Sequence, residues 1–82
     1  MEKEIVYKPF KQLKKWDTIL CLKSATDMCD IPSLTEGKSY TVIKTLQNEL
    51  TSGHVVVEDD KGRVNYWAAG YFNVLGGAPA QD

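Results

Sequence analysis

The sequence predicts a small, mainly β protein, a barrel or sandwich of four or five antiparallel strands. Three observations carry that prediction. The chain has 82 residues, enough for one core, and at this size folding buries only about 60 to 65 per cent of the surface an unfolded chain exposes. From Thr18 onward it breaks into short β-type segments separated by turn residues, the texture of small all-β domains. Val55, Val56 and Val57 then run into Asp59, Asp60, Lys61 and Gly62, a hairpin signal, because Asp tolerates left-handed backbone and Gly has no Cβ to clash there.

The elements follow in order. Residues 1–17 form an arm in which Pro9 opens a short helix running through Trp16, with Phe10, Leu13 and Trp16 on one face. The arm either packs over an open end of the core or presents Lys8, Lys11, Lys14 and Lys15 as a contact surface. Thr18 to Lys23 is the first strand, apolar enough to be buried on both sides. Ser24 to Gly37 is a long irregular loop whose Met28, Cys29, Ile31 and Leu34 fold it back on the core. Lys38 to Leu46 is the second strand, with Tyr40 and Val42 on one face and Thr41 and Ile43 on the other. Gln47 to Gly53 is a turn, His54 to Asp59 the third strand and Arg63 to Ala68 its return. Ala69, Gly70 and Tyr71 make one helical turn, Phe72 to Leu75 a last short strand, and residues 76–82 a small flexible tail. The core set is Leu20, Leu22, Tyr40, Val42, Ile43, Val55, Val57, Val64 and Phe72.

Composition excludes whole classes of function. Hydrophobic residues at 43% and charged residues at 26%, with three Pro and six Gly, argue against disorder or a linker. The net charge of −1 hides a basic first quarter, with six Lys up to Lys23 against Glu2, Glu4 and Asp17, so a local basic patch is possible. A pI near 5.7 and a single Arg, Arg63, are weak signs of a nucleic-acid module. No apolar run approaches the length of about 20 residues that spans a bilayer, and two widely spaced cysteines fit a reducing compartment. A cytoplasmic protein without a membrane anchor is expected.

Little catalytic chemistry is in view. One His and two Cys offer no paired metal ligands, and Glu58, Asp59 and Asp60 lack the alternating carboxylates of a calcium loop. A cysteine nucleophile would need His54 beside Cys21 or Cys29; Cys21, inside an apolar strand, reads as a small hydrophobe. No phosphate-cradling glycine loop and no Gly-flanked serine is present. No metal, cofactor or enzymatic activity is expected. The chemical resource is aromatic: Tyr66, Trp67, Tyr71 and Phe72 lie within seven residues, and Tyr66 and Trp67, adjacent on a strand, face opposite sides.

The run from Lys14 to Cys21, followed by Leu34-Thr35-Glu36-Gly37-Lys38-Ser39-Tyr40-Thr41-Val42, resembles the opening of small phage-encoded SH3-like barrel proteins. Val55 to Gly62, with Tyr66, Trp67 and Phe72, is similar to the rest of their pattern. The likeness spans residues 14–75, and it departs where those proteins carry Gly before the Asp and this chain has Trp16. The resemblance implies a five-stranded antiparallel SH3-like barrel over residues 18–75 and a non-enzymatic phage accessory protein that binds a host protein during infection. The expected protein-binding residues are Trp67, Tyr71 and Tyr66, or an exposed sheet edge that takes an added strand or a second copy. The alternative is a nucleic-acid surface of Lys8, Lys11, Lys14, Lys15 and Lys23 with Trp16 or Tyr7 as the stacking group.

Overall fold

The computed structural model describes residues 4–26, 28–47 and 53–80. Among the described residues the strands are β1 (Thr18–Leu20), β2 (Ala25–Thr26), β3 (Pro32–Leu34), β4 (Ser39–Leu46), β5 (His54–Glu58) and β6 (Val64–Ala68), with single 3-10 turns at Phe10–Gln12 and Ala69–Tyr71. The chain is mainly β. One antiparallel sheet has the order β1-β4-β5-β6 and β2-β3 is a separate hairpin; isolated bridges, not continuous ladders, link Cys21 to Phe72 and Pro9 to Leu75. The sheets are therefore not closed by pairing all the way round.

β4 lies between β1 and β5, pairing with β1 through its first half and with β5 from Val42 onward, with a register shift between Val42 and Lys44. Before it, Thr41, Tyr40 and Ser39 pair with Thr18, Ile19 and Leu20; after it, Lys44, Thr45 and Leu46 pair with Val56, Val55 and His54. Such a bulge bends a strand and raises its twist. The bend wraps the sheet round a core of Ile19, Cys21, Leu34, Tyr40, Val42, Val55, Val57 and Phe72, with Phe10, Leu13 and Ala69 at its ends.

Alternation decides which apolar residues enter that core. Tyr40, Val42, Val55, Val57 and Phe72 are buried as the sequence predicts. On the first strand the inward set is Ile19 and Cys21, both fully buried, so Leu20 is only half-buried and Leu22 is 51% exposed; the strand is buried on one face, not two. Val64 is 60% exposed on β6, and Ile43, at the bulge, is half-buried.

Local chemistry explains the other differences. The helical turn after Pro9 stops at Gln12 because Leu13 is already extended; Phe10 and Leu13 are buried, whereas Trp16 is 63% exposed. The long loop is a hairpin whose base, Ser33 and Leu34, is buried, while Met28, Cys29 and Ile31 stay exposed. Pairing between β2 and β3 satisfies its backbone without laying the tip on the core. The Asp59–Gly62 hairpin and the 3-10 turn at Ala69–Tyr71 form where expected: Asp59 Oδ1 accepts the Lys61 and Arg63 amides at 2.9 and 3.0 Å. Phe72 to Leu75 makes single bridges in place of a strand. The segment expected as a tail lies against the fold up to Ala80: Ala78 N donates to Gly53 O at 3.1 Å and Gly70 N to Ala78 O at 2.7 Å. Residues 48–52 of the expected turn, Asp27 of the loop and the last two residues lie outside the described residues. Among the described residues no helix is long and apolar enough to cross a membrane.

Candidate binding edge and aromatic surfaces

A sheet exposes backbone hydrogen-bonding groups only at its two edges. The β1 edge is covered. Val6 N donates to Thr18 O at 2.8 Å, Asn73 N to Leu20 O at 2.9 Å and Leu22 N to Tyr71 O at 2.7 Å, while Asn73 Oδ1 accepts Leu20 N at 3.0 Å. The arm and the segment after the second 3-10 turn thus saturate that side.

Among the described residues nothing covers the β6 edge in this way. Its ladder with β5 runs from His54↔Ala68 to Glu58↔Val64 without a shift. The bonds Ala69 N to Gly53 O and Asp59 N to Arg63 O bracket the ladder and set its phase: Asn65 and Trp67 bond to β5, and the amides and carbonyls of Val64 and Tyr66 point away from it. Tyr66 N–H turns instead to its neighbour's Asn65 Oδ1 at 2.8 Å. Val64 is 60% and Tyr66 52% exposed, and the strand Val-Asn-Tyr-Trp-Ala carries no charge, proline or bulge, the usual devices that blunt an edge.

The predicted aromatic trio divides between the two faces of β6. Trp67, opposite Val55, is on the core side, half-buried, and packs edge-on against Tyr71 with ring centroids 5.7 Å apart. Tyr66, opposite Val56, is on the outer side, edge-on to His54 at 5.6 Å. The three rings are therefore not one patch; they flank one edge. Trp67 Nε1 is buried with no hydrogen-bond partner among the described residues.

The predicted lysine set is likewise dispersed. Lys8 Nζ is bound to Asp17 Oδ2 at 3.2 Å. Lys11 lines a cavity of about 220 Å³ with Phe10, Gln47, Gly53 and Gly77. Lys23 lies beyond the far end of β1, where its carbonyl accepts the Cys21 thiol at 3.1 Å. Lys14 and Lys15 stay exposed in the turn that ends at Asp17, together with Trp16. Asp17 also accepts Lys14 N–H at 2.8 Å; burial alone would raise its carboxyl, but the Lys14 and Lys8 bonds prevail and hold it below the usual carboxylate range.

One polar cluster ties the Asp59–Gly62 hairpin to the base of β3. Asp60 accepts Thr35 Oγ1 at 2.6 Å, Lys38 Nζ at 2.7 Å and Tyr40 OH at 2.8 Å, while its N–H donates to Ser33 O at 2.9 Å. Burial opposes the Asp60 charge, and the three donors outweigh it and lower the pKa. Burial, with the Asp60 charge beside it, pushes the Tyr40 phenol up to about 12. This cluster and the bonds of Asn73 had no motif in the sequence, since side-chain partners 20 to 67 residues apart become visible only once the strands are placed.

Cys21 is fully buried, and burial raises its thiol pKa. Cys29 is on the β2–β3 hairpin and His54 at the start of β5, in different sheets. Among the described residues no three His, Cys, Asp or Glu are placed to hold a metal ion. Comparison with known proteins gives no match to a family model, a curated relative or a solved structure.

Proposed function

We propose that the chain is a non-enzymatic binding module that takes an extended segment of a protein partner as an added strand on β6. One observation carries this reading: the sheet has two edges, the chain's own arm and final segment cover the β1 edge, and the β6 edge has outward backbone groups at Val64 and Tyr66 on an uncharged strand. Main-chain bonds supply affinity in such complexes and flanking side chains supply specificity. Tyr66 on the outer face and the Trp67–Tyr71 pair on the inner face are placed to do the second.

The fold that goes with this function is a five-stranded SH3-like barrel. It is supported by the element order, by the 3-10 turn between β6 and the final segment, and by the antiparallel Cys21–Phe72 bridge that brings that segment to β1. The likeness to phage barrels makes a bacterial host protein in the cytoplasm the proposed partner.

The test is capture from nuclease-treated bacterial lysate by the wild-type chain and by Val64→Pro. Proline removes an outward N–H that the β5–β6 ladder does not use, and edge positions tolerate it. A protein retained by the wild type and lost by a Val64→Pro chain that still melts normally supports strand addition. Equal retention overturns it. Sedimentation of the purified chain separates the remaining case, in which the strand added to β6 belongs to a second copy.

A further inference from the structure

We propose that the turn Lys14–Asp17 is a second binding surface, separate from β6, whose ligand is single-stranded nucleic acid stacked on Trp16. Trp16 has φ +77, a left-handed conformation that Gly and Asn adopt readily and that is an outlier for a bulky residue. The turn is well made: Asp17 N donates to Lys14 O at 3.1 Å, and Trp16 N to Val42 O at 2.7 Å. The backbone therefore has the form that glycine suits, while the residue in it is the largest of the twenty.

Packing does not account for that choice. The Trp16 side chain is 63% exposed, and among the described residues its ring carries the Lys15 ammonium, 5.0 Å from the centroid. The strained position holds a flat apolar surface out in solvent, an arrangement that recurs at ligand clamps. Asp17, the acid of this turn, is already engaged by Lys8 and by Lys14 N–H. Lys14 and Lys15 are exposed, and Lys44 is exposed on β4 two residues past the carbonyl that Trp16 bonds. A solvent-exposed indole with one ammonium at its ring and further lysines on the same turn and the adjoining strand matches an unpaired base beside its phosphates. Stacking on Trp tolerates any base, and lysines track the backbone.

The probe is a fluorescein-labelled single-stranded oligothymidylate of about twelve nucleotides, with Trp67→Phe used so that Trp16 is the sole indole. Binding should quench Trp16 emission and raise probe anisotropy, and affinity should fall steeply with salt as counterions are released. Trp16→Gly should weaken binding about tenfold or more, the loss of one stacked base, while the melting temperature holds or rises. Lys14→Gln with Lys15→Gln should weaken it and flatten the salt slope by roughly one per lysine. The proposal is overturned by no binding at low salt, by Trp16→Gly binding as tightly as the wild type, or by polyglutamate competing as well as oligothymidylate, which would make the turn a site for acidic protein. Because Val64→Pro leaves this turn intact and Trp16→Gly leaves β6 intact, failure of either surface is read independently.

Discussion

Asn73 holds both backbone polar groups of Leu20: Asn73 N donates to Leu20 O at 2.9 Å and Asn73 Oδ1 accepts Leu20 N at 3.0 Å. The other polar atom of the side chain, Nδ2, donates to Val6 O at 3.1 Å. One residue thus joins the first strand, the final segment and the arm. Asn73→Ala should destabilise by about 1 to 3 kcal/mol, because it strands the Leu20 amide at a part-buried position. Asn73→Asp keeps the acceptor and loses the donor, so it should selectively free the arm, read as faster amide exchange at Val6 with Leu20 still protected.

The Tyr40–Asp60 pair gives the fold two pH limits. Asp60 has its carboxyl pKa lowered on folding, so its stabilisation is present at neutral pH and is lost as pH falls through the folded pKa, below 3.8. Tyr40 is raised from 10.0 to about 12; its contribution is full below pH 10 and declines between pH 10 and 12, where the unfolded phenol ionises first. Thermal melts across pH 2 to 12 should show both losses. Tyr40→Phe should lessen the alkaline loss, leaving the part that comes from the buried Cys21 thiol, and keep an acid one, since Lys38 and Thr35 still hold Asp60.

Two glycines with nearly the same backbone separate conformation from crowding. Gly53 and Gly62 have φ +79 and +77. A Cβ on Gly62 meets Glu58 Oε1 at an ordinary 3.8 Å, whereas one on Gly53 runs into the Ala78 backbone nitrogen. Gly62→Ala should cost about 1 kcal/mol, the left-handed penalty alone. Gly53→Ala should cost clearly more and should release residues 77–80, seen as new proteolytic cleavage there.

Two core substitutions should have opposite outcomes. Val57 is fully buried at the centre of the sheet, and Val57→Asp should unfold the domain by burying an unpaired carboxyl at a cost of several kcal/mol. Trp67→Phe removes a buried N–H that has no partner among the described residues and should leave stability within about 1 kcal/mol of wild type or raise it. Circular dichroism melts distinguish them.

The parts of this molecule legible in its sequence are those set by local chemistry. The Asp59–Gly62 hairpin, the valine strand and the Ala69–Tyr71 turn depend on residues within a few positions of one another. Which face of the first strand turns inward was not local: Ile19 and Cys21 lie inside because of the register with Tyr40 and Ser39, and the apolar run from Ile19 to Leu22 has no alternation to reveal it. Trp16 illustrates the opposite case. Its sequence spacing from Phe10 and Leu13 suggests a shared helical face, but the helical turn ends three residues short of Lys15, and the ring is left in solvent. The aromatic cluster was visible as composition, and its division across β6 follows from strand alternation, whereas the open state of that edge depended on where the arm docked.

Site-resolved amide exchange by NMR reads whether the β6 edge is open in the free chain and filled by a partner strand in the complex. In the free chain, Val64 and Tyr66 amides should exchange at loop-like rates while Asn65 and Trp67 are protected by their bonds to β5; in complex with the protein captured from nuclease-treated lysate, Val64 and Tyr66 should become protected as well. Protection of Val64 and Tyr66 already in the monomeric free chain, or rapid exchange at both in the complex, would contradict strand addition.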